Sequence, residues 1–112
     1  MTNRVHLTPF FYKKAKRLIK KYSSLPENLD QLQKDLLSNP TLGVNYGANI
    51  YKIRIADESK GKGKSGGFRV VTYLVNEVDG ITEIFLITIF DKSEESSITK
   101  EDIKKLIKTA GL

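Results

Sequence analysis

The chain has 112 residues, with 19 lysines and arginines against 13 aspartates and glutamates, no cysteine and a formal net charge of +6. This length fits a single domain, which we place over residues 1–112, and the missing cysteines exclude disulfides and cysteine-bound zinc or iron–sulfur centres. The excess of positive charge indicates an anionic partner, either a nucleic acid or an acidic protein.

The first predicted helix is strongly basic. Residues 4–7 are predicted as a short strand, and Thr8-Pro9 then matches an N-cap followed by a proline at the first helical position. Residues 1–24 carry seven lysines and arginines and no acid. One apolar stripe at helical spacing interrupts this charge and consists of Phe11, Ala15, Leu18, Ile19 and Tyr22.

A second predicted helix follows closely. Ser24-Leu25-Pro26-Glu27 matches a capping box, and the leucines at positions 25, 29, 32 and 36 form an apolar stripe. Asn39-Pro40 ends this helix, because a residue that precedes proline disfavours helical dihedral angles. The short connection predicts that the two helices form an antiparallel pair.

The pattern changes to strands after a loop over residues 43–49 that is rich in glycine and asparagine. Successive side chains of a strand point to opposite faces, so residues 51–55 place their apolar members on one face and Lys52 and Arg54 on the other. Residues 68–75, which include Arg69, predict a central strand.

The return strand and the last helix complete the element order. Asp79-Gly80 predicts a tight turn, and residues 81–90 predict an antiparallel strand. Thr99 matches the N-cap of a terminal helix with Asp102 at its third position, and Gly111 lies past the end of that helix.

This order, β-α-α-β-β-β-α, predicts an α+β fold. We expect a mostly antiparallel sheet of about four strands with the N-terminal helix pair on one face and a C-terminal helix at the end of the chain. The other face is then free to carry a site unless another element covers it. Lys52, Arg54 and Arg69 lie towards that face.

Two nucleotide-binding motifs in the glycine-rich loop lack their required context. Residues 61–66 have the spacing GxGxxG, but a strand rather than a helix follows, so a pyrophosphate would lose its main anchor. Gly63-Lys64-Ser65 resembles the end of a P-loop, yet Glu58 stands where the first glycine is required. What remains is a cationic loop that either follows a phosphate backbone or is a solvated turn.

The titratable residues limit the chemistry. His6 is the sole histidine and is interpreted as structural, and the adjacent acids at 57–58 and 94–95 point in different directions, so no metal site is predicted. RNA cleavage by the neighbouring 2′-hydroxyl needs a base, positive charge at the phosphorane and a proton for the leaving oxygen. Lys52, Arg54 and Arg69 offer cations for this reaction, or they belong to an ordinary polar strand face.

Three segments carry a resemblance to a known family. They are Tyr51–Ile55, Lys60–Tyr73 with the pattern KGKGKSGG-x-RV, and Phe90–Glu94. Together they resemble the RelE/ParE superfamily of bacterial toxins, and within it the RelE and HigB-like branch. The resemblance covers nearly the whole chain and implies a helix pair on an antiparallel sheet with a C-terminal helix.

The resemblance implies a toxin of a type II toxin–antitoxin system that cleaves mRNA at the ribosome through 2′-hydroxyl attack, without a metal or another cofactor. Carried over by position, the catalytic cations of the family fall on Lys52, Arg54, Arg69 and Lys92. The family also has a tyrosine beyond the last strand, whereas no tyrosine follows Tyr73 here. Proton transfer would then fall to Lys92 or Lys64.

The implied partners are an acidic antitoxin, the ribosome and mRNA. The residues that would bind RNA are Lys13, Lys16, Arg17, Lys20, Lys60 and Lys62, with a solvated face as the alternative explanation of the basic helix. No secretory signal and no apolar run of about 20 residues is found, so we expect the cytoplasm and no membrane partner. Two alternatives remain open: a non-enzymatic inhibitor of DNA gyrase like the ParE branch, and a degenerate toxin that binds only its antitoxin.

Overall fold

A computed structural model of the chain describes residues 3–56, 67–76 and 79–112. The elements in chain order are β1 (Arg4–Leu7), α1 (Pro9–Lys21), α2 (Leu25–Ser38), β2 (Val44–Asn45), β3 (Ile50–Ile55), β4 (Phe68–Asn76), β5 (Thr82–Asp91), a 3-10 helix (Lys92–Ser97) and α3 (Lys100–Thr109). None of the helices in the described parts of the chain is long and apolar enough to cross a membrane.

The strands of the described residues form one five-stranded sheet in the order β1-β5-β4-β3-β2. The first strand runs parallel to β5, and the other neighbours are antiparallel. The predicted α+β class is confirmed, with one strand more than the four expected. The additional strand is β2, two residues long, within the segment predicted as a loop.

The helix pair α1 and α2 packs on one face of the sheet. Both predicted stripes contribute to this core, with Phe11 and Ala15 buried on α1 and all four leucines of the second stripe buried on α2. From the sheet, Ile53, Ile55 and Val70 meet them. Each fully buried aliphatic side chain of this kind contributes roughly 1.5–3 kcal/mol to the free energy of folding. More buried residues lie on this face than on the opposite one, so it holds the larger core.

The opposite face of the sheet is partly covered by α3. Ile103 and Ile107 of this helix pack against Val71, Ile87 and Phe90. A β-bulge at Val71/Thr72 shifts the register between β4 and β5. The face predicted to be free therefore has an apolar half under α3, and the cations of β3 and β4 lie beside it, with Arg69 buried and Arg54 exposed.

The caps of the helices differ in how well they were predicted. Thr99 Oγ1 accepts a hydrogen bond from the Asp102 amide at 3.1 Å, and the Asp102 carboxylate accepts one from the Thr99 amide at 2.9 Å, so the predicted cap of α3 is confirmed. Thr8 likewise caps α1 through Phe11 N. The predicted capping box at Ser24 is wrong, because this residue is already helical (φ −84°, ψ −11°) and its side chain makes no capping bond.

This difference gives a matched pair of variants. We expect Thr99→Ala to lower the free energy of unfolding by about 1 kcal/mol, because the amide of Asp102 loses its acceptor. Ser24→Ala should change it by less than about 0.5 kcal/mol, because no side-chain capping bond is lost. Urea denaturation of both variants measures the two values, and equal losses would contradict the assignment of the caps.

The parallel strand β1 is held to β5 by charged side chains as well as by the ladder. The Glu83 carboxylate accepts hydrogen bonds from His6 Nε2 at 2.5 Å and from Arg4 Nη1 at 2.8 Å. The bond from His6 and the charge of Arg4 hold the pKa of Glu83 below its usual value, although burial acts in the opposite direction. His6 also stacks on Phe85, with ring centroids 4.9 Å apart. Through these contacts with two residues of β5, His6 helps to attach β1 to the sheet.

The lowered pKa of Glu83 makes the attachment of β1 sensitive to acid. Because this pKa is lower in the folded protein than in the unfolded chain, its stabilising effect is complete above the usual carboxyl value of 4.5 and is lost as pH falls through the folded value. We expect wild type to be more stable than Glu83→Gln above about pH 5 and the difference to shrink in more acidic solution. Denaturant unfolding of both proteins across this range measures the difference, and parallel pH curves would contradict the prediction.

Candidate functional site

The predicted strand cations come together on the partly open face of the sheet. In the register of β3 and β4, Lys52 pairs with Val71 and Arg54 pairs with Arg69. Directly paired residues share a face, and Val71 belongs to the core under α3, so all three cations lie on the α3 side of the sheet. Their positions confirm the alternation predicted for residues 51–55.

The three cations differ in exposure. The side chain of Arg69 is only 2% exposed and that of Lys52 is 14% exposed, whereas Arg54 is exposed. A buried guanidinium is costly unless anions or other acceptors surround it, so Arg69 needs partners on this face. One of them is a main-chain oxygen, that of Phe68, which accepts from Arg69 Nη1 at 3.3 Å.

Glu95 is the anion of this site. Its two carboxylate oxygens contact different cations, Oε1 at 3.2 Å from Arg69 Nε and Oε2 at 3.2 Å from Lys52 Nζ. Burial acts to raise the pKa of Glu95, but the hydrogen bond from Lys52 and the charges of both cations outweigh it, and this pKa lies below its usual value. The carboxylate is therefore ionised at neutral pH. We call Lys52, Arg69 and Glu95 the anion cluster.

The 3-10 helix after β5 brings Glu95 to the cations. It begins with a capping box in which the side chain of Asp91 accepts from Ser93 N at 2.9 Å and Glu94 reaches back to Asp91 N. The amide of Lys92 also donates to the carbonyl oxygen of Gly67 at 3.1 Å, which ties this turn to the start of β4. Consequently Glu94 is used as a cap while Glu95, the next residue, faces the sheet.

Glu95 is not among the predicted site residues. The expectation that the adjacent acids at 94 and 95 point in different directions is met, but for a helical turn rather than an extended segment. A local signal for this turn exists, because Asp91-Lys92-Ser93-Glu94 has the spacing of a capping box. The pairing of Glu95 with Arg69 has no such signal, because it joins residues 26 positions apart.

Tyr46 is a second residue of the site that was not predicted. It follows β2, and Lys52 Nζ lies 4.6 Å from the centre of its ring and 5.9 Å from that of Phe90. Such distances allow cation–π attraction. Tyr46 keeps 43% of its surface exposed, so the ring forms an aromatic edge to the anion cluster.

The remaining predicted residues are spread over other parts of the chain. Lys92 is exposed at the first position of the 3-10 helix. The predicted RNA contacts on α1 are all exposed: Lys13, Lys16, Arg17 and Lys20. They stand on a helix that packs on the other face of the sheet, so the structure does not join them to the anion cluster. The loop predictions at Lys60, Lys62 and Lys64 lie outside the described residues.

The anion cluster can bind an anion with two acceptor oxygens. Lys52 and Arg69 contact separate oxygens of one carboxylate, and a phosphodiester also presents two oxygens that share a negative charge. Across the described ranges, no three side chains of the types His, Cys, Asp or Glu are grouped so that they could hold a metal ion. In this site, positive charge comes from lysine and arginine.

Comparison with known proteins relates the chain to one family and one fold. A sequence model of the family described as "RelE toxin of RelE / RelB toxin-antitoxin system" matches residues 3–112. Among solved structures, the chain is similar to Escherichia coli toxin RelE in the free state, in a mutant with two arginines replaced by alanine. The TM-score is 0.63 at 19% sequence identity, and the match covers 94% of this chain and 98% of that chain.

Proposed function

This chain belongs to the RelE family of toxins from toxin–antitoxin systems, and we propose that it is an endoribonuclease that cleaves mRNA on the ribosome. Because this family consists of toxins of a toxin–antitoxin system, an antitoxin is the implied protein partner. The observation that carries the proposed activity is the anion cluster, in which a lysine and a buried arginine converge on the two oxygens of a single carboxylate. Burying an arginine in the sheet adds little to the free energy of folding of a domain of this size. A function in anion binding therefore explains the buried position of Arg69 better than packing does.

The proposed reaction is attack by the 2′-hydroxyl on the adjacent phosphodiester. A bond forms between the 2′-oxygen and phosphorus, the bond from phosphorus to the 5′-oxygen breaks, and the products are a 2′,3′-cyclic phosphate and a 5′-hydroxyl. One proton leaves the 2′-hydroxyl and one reaches the departing 5′-oxygen. Negative charge increases on the phosphoryl oxygens in the transition state, so fixed cations beside them lower the barrier.

The described residues can be assigned to these needs. Lys52 and Arg69 would hold the phosphoryl oxygens, with the phosphate in place of the Glu95 carboxylate or beside it. Arg54 lies opposite Arg69 in the register and is exposed, so it would contact the phosphate from the solvent side. Proton transfer is assigned to Lys92 or to Lys64, the second of which lies outside the described residues. This mechanism takes its positive charge from the protein and needs no metal ion for that purpose.

The proposal is tested by expressing the protein without an antitoxin and mapping the 5′ ends of cellular mRNA. We expect new ends inside coding regions that carry a 5′-hydroxyl, and we expect purified protein to cleave mRNA only when ribosomes are present. A growth arrest with intact mRNA would contradict the proposal. Inhibition of DNA supercoiling by the purified protein, with no effect on translation, would replace it with gyrase inhibition.

A further inference from the structure

A small cavity lies next to the anion cluster, between the turn after β2, the sheet and α3. Its volume is about 180 Å³. Tyr46 forms an aromatic wall, Ile50, Val71 and Ile103 form an apolar floor, and Lys52 and Lys100 also line the cavity. Lys52 is thus shared between this cavity and the anion cluster, so a ligand in the cavity lies directly beside an anion bound by Lys52.

The wall of the cavity is fixed by the turn between β2 and β3. Gly47 has a φ of +82°, and the two residues after it are left-handed as well, Ala48 at +55° and Asn49 at +64°. Left-handed dihedral angles at non-glycine residues are uncommon and are kept where surrounding bonds require them. Here the amide of Tyr46 donates to Ile50 O at 2.8 Å, and that of Ile50 donates to Gly47 O at 3.0 Å. The turn therefore fixes the backbone of Tyr46, whose side chain lines the cavity.

The same turn approaches α3 closely. A Cβ atom on Gly47 would lie 3.2 Å from Lys100 Nζ, so the lysine lies against the backbone of the turn. The lysines at positions 100 and 52 are therefore two hydrogen-bond donors that line the same cavity. No carboxylate is among the described residues that line the cavity. A ligand edge that presents hydrogen-bond acceptors is favoured there over one that presents donors.

Size and chemistry together select one class of ligand. The volume is below the roughly 300–1,000 Å³ of pockets for drug-sized molecules, so the cavity takes a single ring system and not a whole nucleotide. An apolar floor does not suit a phosphate, and two ammonium groups do not suit a purely aliphatic group. A nucleobase has both a flat apolar face and acceptor atoms on its edge, and bases stack well on tyrosine.

We propose that this cavity is a nucleobase subsite, in which the base of a nucleotide adjoining the phosphate at the anion cluster stacks on Tyr46 and is contacted at its edge by Lys100. The inference rests on the proposed function, because it assumes that the anion at Lys52 is an RNA phosphate. It assigns Tyr46 the role of selecting and positioning the nucleotide. Bases rich in exposed acceptors, such as guanine and uracil, are expected to bind best.

The subsite can be tested with small ligands and the isolated protein, by NMR. Wild type is titrated with a nucleoside 3′-monophosphate and, separately, with ribose 5-phosphate, which has a phosphate and no base. We expect the nucleotide to shift the resonances of Tyr46, Ile50 and Ile103. The sugar phosphate should shift the resonances of Lys52 and Arg69 and leave those of the three cavity residues unchanged. Tyr46→Phe should bind the nucleotide like wild type. Tyr46→Leu should bind it about 5- to 150-fold more weakly, which is the range for loss of one stacked base.

A matched control comes from α1. Tyr12 is also an exposed tyrosine but lies on the helix-pair side of the chain, so Tyr12→Leu should leave nucleotide binding unchanged. If the nucleotide moves the same resonances as ribose 5-phosphate, or if Tyr46→Leu binds like wild type, the subsite is wrong. Nucleotide binding at Tyr46 by a protein that does not cleave mRNA would keep the subsite and remove the proposed activity. Cleavage of mRNA by a protein whose Tyr46 resonances do not shift with the nucleotide would keep the proposed activity and remove the subsite.

Discussion

Replacing Lys52 by methionine should slow mRNA cleavage at least about 100-fold, the usual cost of removing one group that stabilises charge in a transition state. Lys52 contacts one oxygen of the carboxylate in the anion cluster, so in the proposed mechanism it contacts one phosphoryl oxygen. Methionine keeps an unbranched side chain that fills most of the same space beside Tyr46 and Phe90. The loss should therefore appear in the rate and not in the fold, which urea denaturation of the variant checks.

Two further variants make this result interpretable. Lys34→Met is the same chemical change at an exposed lysine of α2, which forms an ion pair with Asp30 at 3.5 Å, and it should cleave at the wild-type rate. Lys52→Arg keeps the positive charge but places a group that does not release its proton in proteins. If Lys52 only holds the phosphate, the arginine variant retains most activity; if it also transfers a proton, this variant is as slow as Lys52→Met. A folded Lys52→Met protein that cleaves normally would exclude Lys52 from the site.

The sequence predicts the faces of β3 well because alternation is a property of the extended backbone. Ile53 and Ile55 are buried beneath the helix pair, and Lys52 lies on the other face, as their spacing requires. The stripe of α2 is confirmed for the same reason, since helical periodicity fixes which residues share a face. The stripe of α1 is confirmed except at Ile19, which is exposed. These predictions need no knowledge of distant parts of the chain.

Burial of the site was not predictable in this way. Arg69 was expected on an open face, yet it is only 2% exposed, because Glu95 and the 3-10 helix come from a segment 26 residues later in the chain. The bulge at Val71/Thr72 also changes which residues of β5 reach each core, so that Leu86 and Ile89 pack on the same side although they are three residues apart. Neither feature follows from the local pattern of apolar and polar residues.

Tyr46 shows the limit of reading a loop from composition. Glycine and asparagine correctly indicate the turn at residues 47–49, although residues 44–45 of the predicted loop form β2. They do not indicate which side chain the turn holds over the sheet. That depends on three successive left-handed residues and on pairing between β2 and β3. The aromatic group beside the predicted catalytic lysine therefore emerges only from the structure.

Glu95→Gln should bind an uncleavable single-stranded RNA at least about 10-fold more tightly than wild type. In the wild-type protein the Glu95 carboxylate contacts the two cations that are proposed to hold the phosphate, so RNA must displace this charge or tolerate it at short range. The pKa of Glu95 is below its usual value, so the charge persists throughout the neutral range and the substitution is needed to remove it. Glutamine keeps a similar shape and one oxygen acceptor while removing the charge.

Three measurements separate this effect from general electrostatics. Glu94→Gln is the matched control, because it removes the same charge from the neighbouring residue, whose side chain contacts the backbone of Asp91 instead of the cations. The logarithm of the binding constant should fall more steeply with the logarithm of salt concentration in Glu95→Gln, by about 0.7 for each additional cation that contacts phosphate.

Without RNA, the Glu95→Gln variant should unfold more easily than wild type, because the buried Arg69 loses its anion. RNA should then raise its unfolding temperature more than it raises that of wild type, since the phosphate replaces the missing charge. Equal affinities and salt dependences for Glu94→Gln and Glu95→Gln would show that the carboxylate does not compete with RNA for Lys52 and Arg69.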